Sequence, residues 1–69
     1  MAPEAERLAS EIRNDGYMVR HYARNRLLRA QAILKLGLTV RHAFSESSDF
    51  ETLLAAVADA VRPRDDRPF

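Results

Sequence analysis

Sixty-nine residues without a cysteine make at most one small domain, with no disulfide framework and no thiolate metal site. Hydrophobic content of 46% beside 30% charged residues is the profile of a soluble folded chain, and no apolar run approaches the roughly 18–20 residues that cross a bilayer. The formal net charge of +1 conceals three blocks: residues 1–15 are net acidic, residues 16–45 carry Arg20, Arg24, Arg26, Arg29, Lys35 and Arg41 with no acid, and residues 46–69 are net acidic again.

The N-terminus MAPEAERLASE has neither the basic nor the apolar region of a signal peptide, so a cytoplasmic protein is expected. A chain starting at Met1 and free of a tag is also expected to be a natural, complete one. With cysteines absent and the two histidines, His21 and His42, far apart, self-association is the remaining route by which so small a core gains stability.

Pro3 followed by Glu4 and Glu6 opens a helix: proline suits the first helical position and acids suit the positive end of the dipole. No further proline interrupts the chain before Phe44, strand-like alternation is absent, and helix formers dominate. Asn14-Asp15-Gly16 and Leu36-Gly37-Leu38-Thr39 carry turn chemistry, which would divide the region into short helices. Spacing favours the alternative. Ala9, Gly16, Ala23, Ala30, Gly37 and then Phe44 recur every seven residues, and Ala5, Ile12, Val19, Arg26, Ile33 and Val40 form a second row four residues out of step.

Two such rows flank one seam, so residues 3–44 are expected to form one long helix, kinked at most near Gly16. It would be roughly 60 Å long at 1.5 Å per residue. Residues 36–38 would be helical, with Gly37 against another helix.

Ser45 to Ser48 is a polar break, and Ser48-Asp49-Phe50-Glu51 matches a capping box with Ser48 as the N-cap. The helix it opens, about residues 49–62, places Phe50, Leu53, Leu54, Val57 and Val61 on one stripe and closes at Pro63. Residues 63–69 read as a disordered tail. A helix this short covers only about 20 Å of the long one. The expected fold is therefore all-α: residues 1–62 as a single helical domain, assembled as a homodimeric bundle along Ile12, Val19, Ala23, Ala30, Ile33, Gly37, Val40 and Phe44.

Enzyme signatures are lacking: no phosphate loop, no zinc-binding His-Glu pair and no nucleophile elbow. On one straight helix His21 and His42 would stand about 30 Å apart, and Ser45, Ser47 and Ser48 suit a break and a cap. No metal or cofactor is expected. On the same straight helix Arg13, Arg20, Arg24, Gln31 and Lys35 would share a face, broken by Leu38 and prolonged by His42. Such a face tracks a phosphate backbone, meets an acidic patch on a protein, or is neutralised by Asp49, Glu51 and Asp59 of the short helix.

Arg26, in the inner row, is expected at least partly inside, paired with Glu51 or Asp59, aimed at a partner, or snorkelling to water. Tyr17 and Tyr22 are amphipathic anchors. Gly37-Leu38-Thr39 also resembles the turn and opening of the recognition helix in helix-turn-helix DNA-binding proteins. That resemblance implies base or phosphate contacts from Thr39, Arg41 and His42. Two positions depart from it: Ile33 stands where alanine is usual, and Glu46 where the second helix needs an aliphatic side chain.

The expected function is non-catalytic: a small dimeric adaptor or inhibitor, of a kind also encoded by phages and mobile elements, that occludes a functional surface of a larger protein with an acidic patch. Its contact residues would be Tyr22, Arg26, Arg20, Arg24, Arg29 and Lys35. The alternative is a DNA-binding transcriptional regulator using the basic face or residues 33–44.

Overall fold

A computed structural model describes residues 3–62. They form three helices and, among the described residues, no strand: α1 (Pro3–His21), α2 (Arg26–Glu46) and α3 (Phe50–Val61). The one long helix expected from the seven-residue rows is thus two helices, and the break falls at Tyr22–Asn25, away from both glycines.

The break is built from side-chain and backbone hydrogen bonds alone. Ala23 and Asn25 donate their backbone N–H groups to the carbonyls of Arg20 and Tyr22, at 3.1 and 3.0 Å, in tightened turns. The Asn25 side chain then accepts from the Leu28 N–H at 3.0 Å, satisfying one of the free donors that any new helix start exposes. Breaking here lets α2 fold back along α1, so that apolar side chains spread over 60 Å in a single helix meet within one chain.

Asn14-Asp15-Gly16 stays inside α1, and α2 runs through Gly37 without interruption. The α3 cap lies one residue later than the capping box implied. Asp49, not Ser48, is the N-cap; it accepts from the Thr52 N–H at 3.3 Å and from the Thr52 hydroxyl at 2.9 Å, while Ser47 Oγ accepts from the Asp49 N–H at 3.1 Å. A carboxylate outcompetes a hydroxyl at this place because it also meets the positive end of the helix dipole. The helix ends at Val61, and Arg62 is extended, as a residue preceding proline is driven to be. The tail at residues 63–69 lies outside the described residues.

α1 is the common partner: it packs along both α2 and α3, which meet each other mainly near their connection. The core consists of Ala5, Leu8, Ala9 and Ile12 from α1, Ala43 from α2, and Leu53, Ala56 and Ala60 from α3. Among the described residues, only Leu8, Ile12 and Leu53 are large and fully buried. Each contributes about 1.5–3 kcal/mol of transfer free energy. The alanines instead allow helices to approach closely, and one such close approach is at Gly16. A Cβ built there would stand 2.6 Å from both the Cα and the Cβ of Ala60. The small residue at position 16 therefore serves contact between α1 and α3 of the same chain.

Candidate interaction surface

Where the presumed continuous basic stripe would have run, the structure sends its members in different directions. Arg13 Nε donates to Asp59 Oδ2 at 2.9 Å, and Arg20 Nη1 donates to the carbonyls of Asp59 and Ala60 at 3.5 and 3.3 Å. Arg20 so satisfies the open C-terminal carbonyls of α3 and places its charge at the negative dipole end. Lys35 turns to α1, where Asp15, only 5% exposed, accepts from Lys35 Nζ at 3.2 and 3.4 Å and from the Thr39 hydroxyl. Three of the basic groups thus lock the three helices together. Asp59 also takes Arg62 at 2.9 Å.

The Arg13 hydrogen bond, reinforced by the charges of Arg13, Arg62 and Arg20, holds the Asp59 carboxyl below its ordinary value of 3.8. A carboxyl with a lowered folded-state value contributes stability that is complete above the unfolded value and is lost as pH falls through the folded one. Denaturant unfolding followed from about pH 6 to 2 should therefore show a loss of stability below pH 3.8 that is smaller in Asp59→Asn. Equal acid dependence in the two proteins would dismiss these pairs as a source of stability.

The remaining arginines collect around the α1–α2 turn. Arg24 lies in the turn itself, and Arg26 and Arg29 lie in the first turn of α2, all exposed. None of the three forms an ion pair among the described residues. Within its own chain Arg26 is exposed at the start of α2, where the break places it, and makes no pair with Glu51 or Asp59. The end of α1 and the turn that follows it carry an aromatic group: Tyr17 stacks on His21 at 6.0 Å between centroids, and His21 meets the edge of Tyr22 at 5.0 Å. Tyr17 is exposed, while Tyr22 is half-buried where α1 and α2 diverge, beside Met18 and Leu28. Exposed arginines close in the chain to tyrosines have the composition of binding hot spots. His21 belongs to this group by its spacing to Tyr17, a one-turn signal that the sequence already contained.

Comparison with protein-family models, curated proteins and solved structures returned no match.

The expected seam residues are divided by the fold. Ile12 is buried in the chain's own core, Val19 is half-buried on α1, and Ala23 is exposed in the turn. Val40 and Phe44 pack against the core, and Phe44 meets Phe50 of α3 at 5.5 Å. Ala30, Ile33 and Gly37 point away from α1, and a Cβ on Gly37 would meet nothing within 4 Å. Gly37 is helical as expected, but no helix of its own chain faces it.

The outer side of α2 leaves several large apolar side chains open to water. Leu27, Leu34 and Leu38 are 69%, 70% and 65% exposed, and Ile33 is half exposed. Of the exposed large hydrophobic side chains among the described residues, all but Tyr17 lie on α2 or α3. The apolar residues of α2 are spread around the helix among Arg26, Arg29, Gln31, Lys35, Arg41 and His42 rather than gathered on one side, and of its 21 residues only Ala43 is buried. Neighbouring large apolar side chains left open to water mark a surface suited to contact with another protein. The helical turn needed by the helix-turn-helix resemblance is absent, since residues 26–46 are one helix and Thr39 is held by Asp15. Arg41 and His42 are exposed on α2. Among the described residues no three of His, Asp or Glu converge as a metal site requires, and no helix is long and apolar enough to cross a membrane.

Proposed function

We propose that this protein is a non-catalytic, homodimeric protein-interaction module that covers an acidic patch on a larger protein. The observation that carries this reading is the uncovered apolar side of α2, with three leucines about two-thirds exposed beside Ala30 and Gly37. In water such a side costs about 25 cal/mol for every Å² left open, and a second helix laid on it recovers that free energy. Self-association uses the apolar side and leaves the basic-aromatic end, Tyr17, His21, Tyr22, Arg24, Arg26 and Arg29, for another protein. Arg20 and Lys35 support that end indirectly by fixing α3 and α2 against α1.

Light scattering at micromolar concentration should give a mass near twice 7.9 kDa. A nuclease-treated pull-down should recover one stoichiometric protein, lost when Arg24, Arg26 and Arg29 are changed to glutamate while the doubled mass persists. A monomer mass would remove the dimer from this reading, and recovery of nucleic acid alone would remove the protein partner. A second reading, a DNA-binding regulator, draws on the same arginines, which are unpaired by any acid among the described residues. It requires salt-dependent retardation of duplex DNA that the triple glutamate variant loses.

A further inference from the structure

The homodimer reading leaves the direction of the two chains open, and the side chains on α2 decide it. At 100° per residue, Leu27, Ala30, Leu34, Gly37, Arg41 and Phe44 fall within about 100° of one another, at alternating steps of three and four. The centre of this stripe lies opposite Ala32, Leu36, Thr39 and Ala43, which face the chain's own interior. We infer that a second copy of this chain docks on this stripe with the two α2 helices antiparallel, Leu34 of each seated over Gly37 of the other.

Size complementarity supports the register. With Leu34 level with the partner's position 37, Leu27 comes level with position 44 and Ala30 with position 41. Two levels then hold pairs whose members fit: leucine over glycine, and an arginine stem lying over alanine with its head free to reach water; at the third, Leu27 meets only the part of the half-buried Phe44 that its own core and Phe50 leave open. Parallel helices in register would instead set glycine on glycine, alanine on alanine and Arg41 on Arg41. That arrangement leaves two unfilled levels and one repulsive one.

Charge points the same way. Because α2 runs back along α1, one end of the chain carries Arg24, Arg26 and Arg29, and the other carries Glu4, Glu6, Glu46, Asp49 and Glu51. Antiparallel docking brings the basic end of each copy level with the acidic end of the other and opposes the two helix dipoles. Parallel docking places like ends together.

The chain has no native cysteine, so single thiols report the arrangement directly. Ala30→Cys mixed with Arg41→Cys and mildly oxidised should give a covalent heterodimer, whereas Ala30→Cys alone should not, since two copies of position 30 would be roughly 16 Å apart along the seam. Self-linking of Ala30→Cys would overturn the antiparallel direction. A doubled mass without the 30–41 link would overturn the register while leaving the homodimer reading intact, and a monomer mass would overturn both. Gly37→Leu supplies an independent readout: position 37 has open space within its own chain, so helicity by circular dichroism should persist. Its dimer dissociation constant should rise at least tenfold, on the order expected for an overpacked contact. An unchanged dissociation constant would exclude Gly37 from the interface.

Discussion

Replacing Gly16 by alanine should destabilise the fold by about 1–3 kcal/mol, a large share of the roughly 3–5 kcal/mol that a core of this size supplies. In an exposed helix the same change would be favourable by about 0.5–1 kcal/mol, because alanine is the better helix former. The sign reverses because the new methyl would stand 2.6 Å from Ala60 Cα and 3.0 Å from Ala60 O. Backbone cannot rotate away as a flexible side chain can, so α3 must shift, and with it the Arg13 and Arg20 contacts to Asp59 and Ala60. Thermal or urea unfolding of Gly16→Ala beside Gly37→Ala tests the point. Within its own chain Gly37 has no neighbour to meet a methyl, so any penalty there comes only from self-association. A Gly16→Ala protein as stable as its parent would remove the close approach of α1 and α3 as a feature of the fold.

Thr39→Val should lower stability by about 1.5–3 kcal/mol although it preserves the volume of the side chain. Asp15 is a charged group inside the helix interface, and its carboxylate is satisfied by Thr39 Oγ1 and Lys35 Nζ. Removing the hydroxyl leaves Oδ2 with the longer Lys35 contact of 3.4 Å, and a buried carboxylate oxygen short of donors bears its desolvation uncompensated. Lys35→Met should cost less, about 1 kcal/mol, because the lysine side chain is 71% exposed and water already screens its charge. Chemical denaturation of both variants orders the two donors, and a larger loss for Lys35→Met than for Thr39→Val would refute this account of the cluster.

Helix type was legible throughout: Pro3 with Glu4 and Glu6 and the stop before Pro63 mark real helix ends, and the polar break expected at Ser45–Ser48 exists but lies at Ser47–Asp49, because α2 continues through Ser45 and Glu46. The break at Tyr22–Asn25 was less visible because it contains neither glycine nor proline, and its one signal is Asn25 placed to cap Leu28. Conversely, Asn14-Asp15-Gly16 carries strong turn chemistry and is helical. Asp15 finds its hydrogen bonds on α2, and Gly16 finds its reason in Ala60; neither partner is near in sequence. The arginines show the same limit. Their helical angle on one imagined helix grouped Arg13, Arg20 and Lys35 as a binding face, whereas the fold employs them as internal ties and leaves Arg24, Arg26 and Arg29 free of acids among the described residues.

The sequence by itself determined the all-helical class, the helical state of both glycines, the outer ends of the helical region and the block of basic residues in the middle of the chain. These rest on local physics: propensity, capping and the placement of proline act within one or two turns. Tertiary structure alone decided that the seven-residue rows would be cut in two, with Ile12, Val40 and Phe44 drawn into the chain's own core and Ala30, Ile33 and Gly37 turned outward. A periodic row states which residues can share a face. Which neighbour covers that face is settled by long-range packing, where folding α2 back on α1 buries Leu8 and Ile12 at once.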